Sequence, residues 1–138
     1  MENKEKIKMV EDYILAYNKF DVPGMVSYLH EDMLFQNISQ GKVTLELKGR
    51  NSFTRQAYQA VNLFKKREII ITDVSFEKED MIVKIDYNGI LGVDVPDGPK
   101  KGDKIELKGQ SVFQFKEGKI SSIKEALSKT WGFLKLMF

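Results

Sequence analysis

The sequence predicts an α+β fold: three helices in the N-terminal half, packed into the concave face of a curved, mostly antiparallel sheet. Three observations predict it. Apolar residues recur at helical spacing only within the first 64 residues. The remainder reads as four consecutive strands rich in β-branched and aromatic residues: Ile69 to Phe76, Met81 to Val93, Ile105 to Phe115 and Ile120 to Leu127. Along these strands one face is dry and the other wet, as in an antiparallel sheet with one covered face.

The first helix is predicted over roughly residues 4–19. At about 100° per residue, Met9, Val10, Tyr13, Ile14, Ala16, Tyr17 and Phe20 share the half of the helix that carries Ile7. Glu5, Lys8, Glu11, Asp12, Asn18 and Lys19 fall on the other half, with Leu15 the exception. Two phenols at the centre of an apolar stripe are unusual, because a buried hydroxyl without a partner costs roughly 1–3 kcal/mol. Tyr13 and Tyr17 therefore either meet polar groups in the core or line a cavity that holds water or a ligand.

Asp21-Val22-Pro23-Gly24 breaks the chain, and Asp21 is suited to cap a short helix that tolerates Pro23 in its first turn. That helix carries Met25, Val26 and Leu29 and is expected to end near His30-Glu31-Asp32, which leaves His30 at the surface. A strand from Met33 to Ile38, a turn at Gln40-Gly41-Lys42 and a strand from Val43 to Leu47 follow. A third helix, capped by Asn51 or Ser52, is predicted from the spacing of Phe53, Ala57, Ala60, Val61 and Phe64. Lys78-Glu79-Asp80 and Lys116-Glu117-Gly118 are tight hairpin connections, and Pro96 to Asp103 is a longer loop. Gly89, Gly92 and Gly109 offer places for a bend or bulge in strands longer than the usual ~5–6 residues.

The 138 residues suit one domain, spanning 1–138, with no repeat and no linker. Twenty-two basic and 20 acidic side chains leave a net charge of +2, which gives no electrostatic reason to expect nucleic acid or an anionic membrane as partner. Lys65-Lys66-Arg67 reads as a solvated helix end and Lys100-Lys101 as a solvated loop. With no cysteine, thiolate chemistry is excluded, and a single histidine makes a zinc site improbable; no metal or cofactor is expected. The N-terminal residues lack a signal-peptide pattern and no stretch approaches ~20 apolar residues, so a cytoplasmic protein is expected.

Alternation isolates three polar residues on the dry face. Met81, Val83, Ile85, Tyr87, Leu91 and Val93 point one way on their strand; Ile105, Leu107, Ser111, Phe113 and Phe115 do so on the next. Ser111 is the polar exception there. Glu125 shares a face with Ile123 and Leu127, and Asn37 shares one with Met33 and Phe35. Each has two readings, either a group aimed at a ligand or a polar residue satisfied locally. Glu125 in addition depends on strand register, since one bulge would turn it to solvent.

The order of elements, with Val10-Glu11-Asp12-Tyr13, Asn18 to Val26, Leu29-His30-Glu31-Asp32-Met33 and Phe113 to Ile120, resembles the nuclear transport factor 2-like superfamily over nearly the whole chain. The nearest branch is that of ketosteroid isomerase and SnoaL-like polyketide cyclases. The resemblance implies a cone-shaped α+β roll, an internal pocket and a homodimer. In the isomerase pattern a first-helix tyrosine donates to an oxyanion, and Tyr13 matches it. The carboxylate base of the first strand is replaced by Asn37, which has no useful basicity, and the second acid by Ser111, a weaker donor. The steroid isomerase reaction itself is therefore not expected. Glu125 resembles the late acidic residue of SnoaL-like domains and is the remaining candidate base; burial would raise its pKa towards neutrality. Epoxide-hydrolase-like relatives carry Tyr-x-Asn on the first strand and an inward arginine with carboxylates. Here Phe35-Gln36-Asn37 keeps only the asparagine, and no arginine–aspartate pair is found.

The expectation is thus a binder of a small apolar molecule, with isomerisation, cyclisation or dehydration of a carbonyl-type substrate open. Tyr13 and Ser111 would stabilise an oxyanion, Glu125 would move the proton and Asn37 would orient the substrate. Tyr17, Phe35, Phe53, Val83, Ile85, Tyr87, Phe113 and Ile123 are the expected lining. The alternative is a non-catalytic dimerisation or protein-interaction module, favoured if Phe35, Phe53, Phe113 and Trp131 fill the cone. The apolar C-terminus, Trp131 to Phe138, would close the pocket or form a dimer contact.

Overall fold

A computed structural model describes residues 1–128, in the order α1 (Asn3–Asn18), α2 (Val22–Val26), β1 (Leu29–Ser39), β2 (Lys42–Lys48), α3 (Arg50–Val61), β3 (Phe64–Glu77), β4 (Asp80–Leu91), β5 (Lys104–Lys116) and β6 (Lys119–Leu127). The apolar segment from Trp131 to Phe138, with the roles expected of it, lies outside the described residues. Among the described residues no helix is long and apolar enough to cross a membrane.

The six strands form one curved, open sheet in the order β2-β1-β6-β5-β4-β3. All neighbours are antiparallel except β1 and β6, which run parallel where the first and last strands meet. The hairpin turns have the backbone they require: Glu117 and Gly118 both take positive φ, 53° and 76°, between β5 and β6. Register shifts in β3, between Phe64 and Lys66 and between Ile71 and Asp73, break the two-residue period on that long edge strand. At Gly89 a Cβ would stand 2.9 Å from the Phe64 ring, so the missing side chain lets that ring lie against β4.

Helix α1 buries the predicted stripe, Val10, Tyr13, Ile14, Ala16 and Tyr17, and leaves Leu15 53% exposed. Its C-terminal end is pinned to β3 from three directions. Ile69 N donates to Asn18 Oδ1 at 2.8 Å, Asn18 Nδ2 donates to Ile69 O at 3.3 Å, and Arg67 Nε donates to Tyr17 O at 2.9 Å. The guanidinium thus supplies the positive charge that a helix C-terminus favours and that the last turn of α1 lacks. The Asp21 carboxylate caps α2 as expected, accepting from Gly24 N at 3.0 Å.

Several expectations need correction. The short helix ends at Val26, so Leu29 and His30 belong to β1; His30 accepts from Asp32 N and its Nε2 lies 3.5 Å from Glu117, leaving the side chain only 12% exposed. Neither Asn51 nor Ser52 caps α3. Gly49 occupies that position at φ 88°, and Ser52 Oγ instead donates back to Lys48 O. Phe64 continues the helical spacing of α3 in sequence but begins β3. Lys65-Lys66-Arg67 is consequently strand rather than helix end, and Arg67 is buried at 2% exposure.

Candidate functional site

The sheet register brings the three polar exceptions of the dry face side by side. Asn37 on β1 pairs with Glu125 on β6, and Glu125 pairs with Ser111 on β5. Ser111 in turn faces Val83 on β4. All three polar side chains are buried, at 8%, 2% and 2% exposure. The next inward row, two residues along the same strands, is Phe35, Ile123, Phe113 and Met81, and it is wholly apolar. Tyr13 spans the two rows: its ring meets Phe113 edge-on at 6.3 Å, and its hydroxyl feels the Glu125 carboxyl.

Ser111 Oγ donates to Glu125 Oε2 at 2.7 Å. Burial pushes the Glu125 carboxyl from its ordinary 4.5 up to about 8, a rise that the Ser111 hydrogen bond restrains. The group is therefore mostly protonated at neutral pH yet close enough to its midpoint to exchange a proton. Burial holds the Tyr13 phenol well above its ordinary value, so this hydroxyl remains a donor throughout the working pH range. Among the described residues it has no hydrogen-bond partner, nor has Asn37 Nδ2. The Ser111 hydrogen is engaged by Glu125, whereas Tyr13 Oη and Asn37 Nδ2 are left, among the described residues, as unengaged donors.

A second polar group lies about one helical turn further along α1, ~6 Å along the axis. The Tyr17 and Tyr87 hydroxyls are 2.8 Å apart, and their rings meet edge-on at 6.3 Å. Burial raises the Tyr17 phenol to about 12 against the opposing charge of Arg67. Arg67 stacks over the rings of Tyr17, at 3.7 Å, and Phe20, at 4.5 Å. Its sequence signal was available: Arg67 has the same parity as Ile69 and Ile71, and it is lost only when the strand is started at Ile69.

The other expected lining residues, Tyr17, Phe35, Phe53, Val83, Ile85, Tyr87, Phe113 and Ile123, are all inside, none more than 2% exposed. Phe35 of the apolar row meets the Phe53 ring at 5.4 Å with the two planes tilted by 58°. Four surface depressions formed by described residues lie elsewhere, on the wet face around Lys84, Asp86, Asn88, Glu106 and Lys108 and at the rim around Lys6 and Phe115. None of these four touches Tyr13, Asn37, Ser111 or Glu125. Among the described residues no group of three or more His, Cys, Asp or Glu is placed to hold a metal.

A model of the SnoaL-like domain matches residues 10–123. No protein of curated function matches the sequence. Among solved structures, a candidate SnoaL-like polyketide cyclase from Jannaschia sp. CCS1 superposes with a TM-score of 0.75 at 9% identity, covering 97% of this chain and 92% of that one. A candidate polyketide cyclase from Xanthomonas campestris pv. campestris gives 0.71 at 20% identity, over 89% and 90% of the two chains. An LEH-like epoxide hydrolase from M. tuberculosis gives 0.72 at 16% identity, over 97% and 90%. At these identities the likeness establishes the fold alone.

Proposed function

The chain belongs to the SnoaL-like domain family, and on that premise we propose that it is a cofactor-independent proton-transfer enzyme acting on a compact carbonyl compound held inside the cone. The observation that carries the reading is Glu125, a buried carboxyl with a pKa of about 8 that is held by Ser111 and electrostatically coupled to the partnerless Tyr13 hydroxyl. A general acid–base works best when its pKa lies near the operating pH.

In this reading the ionised fraction of Glu125 takes a proton from the carbon next to the substrate carbonyl. The C–H electron pair moves into a new C–C double bond, and the carbonyl oxygen becomes an enolate. Tyr13, with Asn37 beside it, donates hydrogen bonds to that oxygen as its charge develops. Glu125, now neutral, returns the proton. Delivery to a different carbon is isomerisation. Delivery to a departing β-hydroxyl, released as water, is dehydration. Delivery to the alkoxide formed when the enolate carbon attacks a second carbonyl of the same molecule is cyclisation. All three share the first step, so the test is that step: loss of the α-proton NMR signal in D2O from a series of small ketones and oxo-acids. Glu125→Gln is expected to slow the exchange by roughly 10²–10⁴-fold; exchange at the wild-type rate in the variant would remove Glu125 from the mechanism.

A second reading, a non-catalytic interaction module, is favoured by the packed Phe35–Phe53 pair and by the position of the four depressions away from Glu125. It predicts no exchange with any compound of the series. Pairing of two copies, implied by the family resemblance, is compatible with both readings; light scattering at micromolar concentration should give the mass of two chains, and the mass of one would refute it.

A further inference from the structure

Among the described residues, four buried side-chain atoms have no hydrogen-bond partner: Tyr13 Oη, Asn37 Nδ2, Gln56 Nε2 and Arg67 Nη2. Every one is a donor. The two amides can turn to present their oxygens, but a guanidinium has no acceptor at all and stays charged at any working pH. Arg67 is 2% exposed, and among the described residues no carboxylate lies within ion-pair distance of it. Its contacts include the Tyr17 carbonyl, through Nε, the faces of Tyr17 and Phe20, and a side-chain interaction that favours the ionised Tyr17 phenol. Those contacts explain its place at the end of α1. They leave Nη2 without an acceptor and, among the described residues, the buried cation without an anion, an unfavourable arrangement if nothing completes it.

We propose that the ligand of this interior is a small organic anion, a carboxylic acid with a carbonyl group, whose carboxylate completes Arg67. The inference rests on the reading that the interior takes a ligand, but not on Glu125 performing chemistry. The charge of Arg67 is felt at Tyr13, Tyr17 and Tyr87, so a carboxylate there would lie within electrostatic reach of all three phenols. Arg67 lies against the Tyr17 ring, and Tyr13, whose hydroxyl feels Glu125, is one helical turn away, about 6 Å along the helix axis. A short oxo-acid fits that span, with its carboxylate at Arg67 and its ketone at Tyr13. Bidentate, charge-assisted hydrogen bonds give guanidinium its preference for carboxylate over a neutral oxygen.

The test compares a series of C4–C10 oxo-acids, each with its own methyl ester, by thermal shift and calorimetry on the wild-type protein. The ester keeps the ketone and removes the charge. At least one acid is expected to bind ten-fold or more tighter than its ester, and Arg67→Lys, which keeps the charge but loses the planar fork, to narrow that ratio. Equal binding of acid and ester throughout, tighter binding of the esters, or no acid bound anywhere in the series overturns the proposal. Arg67→Met risks unpinning α1, and the wild-type comparison does not depend on it. The α-proton exchange assay separates the two readings. Acid preference without exchange sinks the proton-transfer enzyme and keeps the anion site; exchange without acid preference does the reverse.

Discussion

Two neighbouring rows of the same sheet face differ in everything but their backbone. One, Phe35–Ile123–Phe113–Met81, is dry, packed and complete; the other, Asn37–Glu125–Ser111, lies two residues, about 7 Å, further along and contains a neutralised carboxyl with orphan donors near it. Same strands, same burial, same curvature. The first row gains stability from close packing and from apolar surface removed from water. The second spends part of that stability on buried polar groups, which natural cores avoid unless each is partnered. That contrast separates the part of the interior that builds the fold from the part that is available for chemistry.

The contrast breaks most visibly under substitution. Phe35→Ala should lower unfolding free energy by about 3–5 kcal/mol, because it removes a ring that is 1% exposed and packed against Phe53. Denaturant titration checks it, and a loss below about 1 kcal/mol would mean that the row is not packed as described. The polar row should respond to pH instead. Because the Glu125 carboxyl lies at about 8 in the fold against an ordinary 4.5, between those values the native protein holds a proton that the unfolded chain releases. Its contribution is fully present below about pH 4.5 and is lost as pH rises through about 8, a fall of a few kcal/mol at about 1.4 kcal/mol per unit. Glu125→Gln should remove that part of the pH dependence, so stability curves of the two proteins converge at low pH, separate in favour of the variant between about pH 4.5 and about 8, and run parallel above that.

The smallest effect on stability is the most telling. Tyr13→Phe deletes a hydroxyl that has no partner, so the empty protein should lose no more than ~0.5 kcal/mol or become slightly more stable, the outcome when an unsatisfied buried group is removed. α-Proton exchange should nevertheless fall by roughly 10²-fold, the usual consequence of losing one oxyanion donor. A stability loss above about 1.5 kcal/mol would show that the hydroxyl is structurally engaged after all.

Much of this contrast was legible in the sequence, and the reasons are local. Helical spacing exposed the Tyr13–Tyr17 stripe, and strict alternation in β4 and β5 made Ser111 stand out against Val83 and Phe113. What alternation could not supply was lateral register: Ser111 faces Glu125 across the β5–β6 hairpin, but that Asn37 joins them follows from β1 running parallel to β6, a non-local pairing. Arg67 was lost for a different reason. Phe64 sits at i+7 from Ala57, so helical period carried the reading past the true end of α3, and the bulge between Phe64 and Lys66 then shifted the inward parity. A basic residue after two lysines reads as solvated unless the strand is known to have begun. The Gly49 cap of α3 was hidden similarly, because Ser52 and Asn51 are better cappers by residue type, yet Ser52 bonds backward to the preceding carbonyls.

The account turns on whether the carboxyl of Glu125 is held neutral inside the protein. Infrared difference spectroscopy of wild type against Glu125→Gln, followed from pH 5 to 9, reads it directly. A protonated carboxyl band present at pH 6 and titrating away with a midpoint near 8 is the predicted result. A carboxylate already ionised at pH 6 would contradict it.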